Sequence, residues 1–277
     1  EQKVKELTQA NETLAYTDAM KSRFISLAAH ELRTPLAAIR GYLDILTTPG
    51  NQFLANADRN SQELVDGLIC SVDRLGGIVQ DMLDITRIEA GTLQLRPTLV
   101  NMSQILKRVE RDFITVIERR KQNLIIHLPR TTPALWADGE RIMQILRNLV
   151  SNAIKYTPDG GIIELQTTVL EPGNEPAGEQ YLKITVRDTG VGIAPEHQEK
   201  IFETFHEVRE IEYHSSSKTD FLGGGAGLGL PIARGVAEAH GGSLWVESPG
   251  HDRDACPGSI FHLIIPFGSP PQPSPKV

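Results

Sequence analysis

The stretch Phe24-Ile-Ser-Leu-Ala-Ala-His30-Glu31-Leu-Arg33-Thr34-Pro35-Leu36 constrains this chain more than any other. It belongs to a run in which Leu32, Leu36, Ile39, Leu43 and Leu46 fall on one narrow stripe at about 100° per residue, the mark of a helix in a bundle. His30 and Thr34, one turn apart, fall roughly opposite that stripe, toward solvent. Pro35 removes a helical hydrogen bond to the carbonyl of Glu31 and is expected to bend the helix beside His30. A mid-helix proline costs about 3 kcal/mol, which packing alone does not explain. An exposed histidine next to a carboxylate suits reaction with a group arriving from outside, although His30 is also one of eight histidines in the chain.

The 277 residues suffice for two domains, and 40% hydrophobic content supports ordinary cores. No apolar run is long enough for a transmembrane helix, and no signal peptide is visible. The chain starts at Glu1, so it reads as an excerpt from a longer protein, in which an anchoring or sensing region could precede this segment. Net charge is −7 with no basic block, which argues against nonspecific nucleic-acid binding. Cys70 and Cys256 stand alone without metal-ligand spacing and fit a reducing cytoplasm.

Residues 1–47 read as one long helix, with a loose heptad (Val4, Leu7, Asn11, Leu14) that makes 1–20 a short coiled coil. Thr48-Pro49-Gly50-Asn51 is a turn, and a second helix runs from about Asp58 to Ala90, closed by Gly91. Its apolar stripe is Leu64, Leu68, Val72, Leu75, Val79 and Met82. A helical hairpin buries one face of each helix, so the expected assembly is a dimeric four-helix bundle; the alternative is a monomeric hairpin packed on the downstream domain. The expected domains are 1–20 (coiled-coil helix), 21–95 (helical), 96–268 (mixed) and a Pro-rich tail, 269–277.

After Pro97 the pattern mixes helices at about 102–121, 139–156 and 229–240 with strands at Leu124–Leu128, Ala134–Ala137, Gly161–Leu170, Tyr181–Asp188, Ser243–Glu247 and Ser259–Pro266. Residues 171–180 form a hairpin loop. The expected fold is an α+β sandwich with helices on one face of the sheet.

Asp138 suits the N-cap of the 139–156 helix. Ile142, Leu146, Leu149, Val150 and Ala153 share its buried sector, while Asn148, Asn152 and Lys155 occupy an adjoining polar sector with Tyr156 at the border. Asparagines are poor mid-helix residues, and two of them one turn apart suggest a use beyond surface polarity. Their amide oxygens suit Mg²⁺, lysine suits phosphate, and a tyrosine ring stacks on a base. Asp188-Thr-Gly190-Val-Gly192 puts a carboxylate at a strand end, where it can accept a hydrogen bond from an exocyclic amine, and two glycines that let backbone approach a flat ring. Gly223 to Gly229 is glycine-rich and leads into a helix start with Pro231 in its first turn; it serves as an anion site, a flexible hinge, or both. The polar stretch Phe202 to Phe221 is a candidate lid.

In this order and spacing, the motifs closely resemble those of the bacterial sensor histidine kinases. His30-Glu-Leu-Arg-Thr-Pro matches the phosphoacceptor box. The Asn148/Asn152 helix, Asp188-Thr-Gly-Val-Gly, Phe202 to Phe205 and Gly225-Ala-Gly-Leu-Gly match the four ATP-domain boxes, and the resemblance spans about residues 18–267. It implies a dimeric phosphoacceptor hairpin joined to a Bergerat-type ATP-binding sandwich. His30 would attack the γ-phosphoryl group of Mg-ATP, with Glu31 orienting the imidazole and taking its proton. Asn152 would bind Mg²⁺, Asn148 would assist at the phosphates, and Lys155 would touch phosphate or ribose. Tyr156 would flank the base, Asp188 would read the adenine amino group with Gly190 and Gly192 beside it, and Gly225, Gly227, Leu228 and Gly229 would form the phosphate loop. The phosphoryl group would pass to an aspartate of a response regulator, and Thr34 stands where the family places a phosphatase residue. The lid departs from the family: Thr204 and Glu207 stand where arginines are common, with Arg209 and Lys218 as candidate substitutes. Two other readings are a pseudokinase scaffold that binds nucleotide structurally, and a gyrase-, MutL- or chaperone-type ATPase, which uses a glutamate base where Asn148 stands.

Overall fold

The computed structural model describes residues 32–48, 58–127, 135–170, 180–204 and 227–267. His30, Glu31, Gly225, the coiled-coil segment, most of the lid and the Pro-rich tail lie outside the described residues. The chain divides into two units, 1–93 and 94–277.

In the first unit, helix α1 (32–47) accommodates Pro35 and faces helix α2 (Arg59–Glu89). Asp58 caps α2 by accepting from the Ser61 amide, and Gly91, at φ +64°, turns the chain out of it. The helices run antiparallel: Arg33 donates to Gln80 at 2.6 Å, and Arg40 pairs with Asp73 further along. Leu36 packs with Val79, Leu83 and the half-buried Val72. The expected five-residue stripe on α1 is buried only at Leu36 and Leu43; Leu32 and Ile39 are exposed. A single partner helix covers only the edge of such a stripe on which Leu36 and Leu43 lie. On α2, Leu64 (63% exposed) and Leu68 (56%) likewise lie open. No helix among the described residues is long and apolar enough to cross a membrane.

In the second unit, β1 (Thr98–Val100) leads into α3 (Met102–Arg119), β2 (Asn123–His127), β3 (Leu135–Ala137) and α4 (Gly139–Tyr156). Then come β4 (Ile162–Leu170), β5 (Tyr181–Asp188), two 3-10 turns (Pro195–His197 and Lys200–Phe202), α5 (Gly229–Ala239), β6 (Ser243–Glu247) and β7 (Ser259–Pro266). The main sheet has the order β2-β4-β5-β7-β6, antiparallel except for β2 against β4. Strand β1 is a feature the sequence pattern did not reveal. Three residues after a proline carry no readable period, and the strand exists because it pairs antiparallel with β3.

Alternation along the sheet sends Ile163, Leu165, Leu182, Ile184, Val186, Leu263 and Ile265 to one face. Helices α3, α4 and α5 cover that face. Ile142, Leu146, Leu149, Val150 and Ala153 of α4 fill the layer between, all essentially inaccessible. The result is the expected two-layer α+β sandwich.

Candidate functional site

Helix α4 carries the site. Asp138 caps it by accepting from the Arg141 amide, and the same carboxylate accepts from the Arg96 amide at 2.9 Å, drawing in the chain ahead of β1. Along α4, Asn148 and Asn152 are half-buried one turn apart. Asn148 Nδ2 donates to the Gly229 carbonyl at 2.8 Å, and a Cβ on Gly229 would meet the Asn148 amide at 3.3 Å. The middle of α4 therefore touches the first turn of α5. That turn is led by Leu228, which has no side-chain acceptor for capping, so the helix start presents its N–H groups and positive dipole end. Gly227 precedes it at φ +65°.

The end of α4 meets the turn after β5. Val191 donates its amide to the Tyr156 carbonyl at 3.1 Å, and a Cβ on Gly190 would stand 2.5 Å from that same oxygen. Only glycine fits at this approach. Asp188 is 5% exposed and accepts from the Gly190 amide at 2.8 Å. Burial pushes its carboxyl up to about 6, opposed by backbone hydrogen bonds from Gly190 and Ser259. Gly192, at φ +74°, bridges to His251, while Gly258 donates to the Gly190 carbonyl and closes the turn from β7.

Lys155 departs from expectation: it is buried, not part of an open polar sector, with its Nζ 4.6 Å from the centre of the half-open Tyr156 ring. The last turn of α4 packs between the Asp188 turn and the β4 start, so a position polar by helical phase is covered by tertiary neighbours. Asn148, Asn152, Lys155, Tyr156, Asp188, Gly190, Gly192, Gly227, Leu228 and Gly229 thus lie on three segments that α4 joins. Thr34 lies on the other unit, exposed on α1. Sequence reasoning missed Thr189, which accepts from the Ile162 amide, and Ser248, which accepts from the Ile193 amide. It also missed Arg120 and Gln122, which reach the α4 terminus from the end of α3. Thr189 stands inside the Asp188-Thr-Gly190 motif with no role read from it, and Ser248, Arg120 and Gln122 belong to no periodic or glycine-marked pattern.

Residues 20–91 match the family model of the His Kinase A (phospho-acceptor) domain, and residues 137–269 match that of the histidine kinase-, DNA gyrase B- and HSP90-like ATPases. The adaptive-response sensory kinase SasA of Thermosynechococcus vestitus is 33% identical over 95% of this chain and 64% of its own length. The sensor histidine kinase RcsC of Escherichia coli is 32% identical over 100% of the chain and 26% of its own length. The chain therefore spans less than two thirds of the curated relatives it matches. Among solved structures, full-length ShkA in complex with AMPPNP aligns with a TM-score of 0.67 at 26% identity, covering 89% of this chain and 46% of that one. With a phosphoacceptor module followed by an ATPase-type sandwich, this chain belongs to the sensor histidine kinases of two-component signal transduction.

Proposed function

We propose that the chain is a kinase core that phosphorylates His30 from Mg-ATP and passes the phosphoryl group to an aspartate of a response regulator. The observation that carries this reading is the meeting of three segments at α4: Asn148 bonded to the α5 start, and Tyr156 bonded to the Asp188 turn. The same chain carries the His30 box. Adenine fits the Asp188 end, because a buried carboxylate accepts from an exocyclic amine. Phosphates fit the other end, where the α5 N-terminus offers N–H donors.

Asn152 is the residue that would hold Mg²⁺. Its amide oxygen is a hard ligand, half-buried one turn from Asn148, and it makes no side-chain hydrogen bond among the described residues. Mg²⁺, when bound, supplies charge neutralisation at the phosphoryl oxygens. In the reaction, a nitrogen of the neutral His30 ring forms a bond to the γ-phosphorus as the bond to the bridging oxygen of ADP breaks. Glu31 takes the ring proton. The base-side contacts hold the nucleotide in register, so positioning accounts for much of the acceleration.

We assign residues 1–20 to a coiled coil, 21–95 to dimerisation and phosphotransfer, 96–268 to nucleotide binding, and 269–277 to a tail. The open leucines of α2 support a homodimer. Exposed Thr34 supports a second, phosphatase role on the regulator. Two free thiols, Cys70 and Cys256, support a reducing, cytoplasmic setting for this segment.

Incubation with Mg-ATP labelled in the γ-phosphate tests the proposal. The expected product is an acid-labile, base-stable phosphoprotein in the wild type and none in H30A. Nucleotide binding without label in the wild type instead supports the scaffold reading, and steady phosphate release without phosphoprotein supports a simple ATPase.

A further inference from the structure

The nucleotide-carrying helix ends on a clamp that belongs to no recognised motif. Arg120 is the C-cap of α3 and only 5% exposed. Its Nη1 donates to the Ile154 carbonyl at 2.9 Å, its Nη2 to the Thr157 carbonyl at 2.8 Å, and its Nε to Asp159 at 2.6 Å. Gln122 Nε2 donates to the same Ile154 and Thr157 carbonyls, at 3.1 and 2.8 Å. A buried guanidinium at the negative end of a helix satisfies carbonyls that have no partner within the helix and complements the dipole.

Local backbone explains how both side chains point the same way. Lys121 takes φ +51°, Lys121 donates to Glu118 and Gln122 donates to Ile117, so α3 closes in a left-handed turn. Gly160 returns a bond to the Arg120 carbonyl, and Asn123 donates to Gly161. The clamp is thus held from both chain segments. It grips α4 within the segment whose Tyr156 carbonyl receives the Val191 amide and faces Gly190, two residues beyond Asp188.

Building on the nucleotide-site reading, we propose that Arg120, seconded by Gln122, is a positioning residue that sets the spacing between Tyr156 and Asp188 and thereby the selectivity for adenine. The phosphate end of the site, at Asn148 and Gly229, lies about two turns (~12 Å) further back along α4. Loosening the clamp therefore disturbs the base end first.

The test is equilibrium binding of Mg-ATP and Mg-GTP to the whole chain, for wild type, R120A, R120K and Q122M, with thermal melts run alongside. R120A is expected to weaken ATP about tenfold while GTP, whose ring carries a carbonyl where adenine carries its amine, weakens much less, so that the ATP:GTP preference collapses. R120K, which keeps the charge but not the planar fork, recovers part of the preference. A smaller folded fraction would scale both nucleotides alike, so selectivity reads position and not stability. If R120A does not fold, the graded loss of preference in R120K and Q122M carries the test. Unchanged selectivity in the folded variants overturns the clamp alone. A wild-type chain that binds neither nucleotide overturns the nucleotide site and the clamp together.

Discussion

Asp188 is the residue at which burial and function pull hardest against each other. Its carboxyl, pushed up to about 6 by desolvation, is charged at neutral pH at a cost of roughly 3 kcal/mol relative to a carboxylate in water. The native state therefore holds this proton more tightly than the unfolded chain, and the penalty fades as pH falls from above 6 toward 4. Ligand binding runs the opposite way. The ionised carboxylate is the stronger acceptor for an exocyclic amine, so adenine-nucleotide affinity is expected to drop as pH falls through about 6. Calorimetric titration from pH 8 to 5 checks this, and a flat profile removes Asp188 from base recognition. Beside it, Gly190 approaches the Tyr156 carbonyl so closely that a methyl group must displace backbone. G190A is expected to lose about 1–3 kcal/mol in denaturant unfolding, the range for overpacked sites, and to bind ATP poorly even where folded.

At the scale of elements, α4 and α5 are tied together by a histidine remote from the motifs. His240 ends α5 with its ring Nδ1 2.8 Å from the Val236 carbonyl, and the Asp138 amide donates to Nε2 at 3.1 Å. These partners require the neutral tautomer with the proton on Nδ1. Burial lowers the His240 pKa, Arg141 reinforces that, and the Val236 bond and Asp138 oppose it. A histidine lowered by folding stabilises the native state above its ordinary value near ~6.5, and that contribution is lost as pH falls below it. Thermal melts of wild type and H240Q are expected to converge between pH 7.5 and 5, with the larger acid loss in the wild type. Parallel curves would show that this histidine is not a pH-sensitive joint. The contact matters because Asp138 also caps α4, so the joint bears on where α4 begins.

For the whole molecule, the open stripe on α2 calls for a partner. Leu64, Leu68 and Leu75 remain exposed in a helix whose Val72, Val79 and Leu83 pack with Leu36 of α1. L68E is expected to shift the chain from dimer to monomer in sedimentation equilibrium, while leaving nucleotide binding by the second unit within about twofold. A wild-type chain already monomeric at high concentration would remove the bundle. Much of this organisation was legible in the residues. The ranges of α4, β5, β6 and β7 follow from apolar periods of 3.6 and 2, and the glycines after Asp188 mark a turn, whose close approach to the Tyr156 carbonyl only the structure shows. Those signals are local: each depends on neighbours within a turn or a few strand residues. Tertiary structure alone decided that β2 lies parallel to β4, that β1 exists, that Lys155 is buried, and that Arg120 reaches carbonyls 34 and 37 positions away. It also decided the Asp188 pKa, because desolvation is a property of what surrounds a group in space and no period along the chain records it.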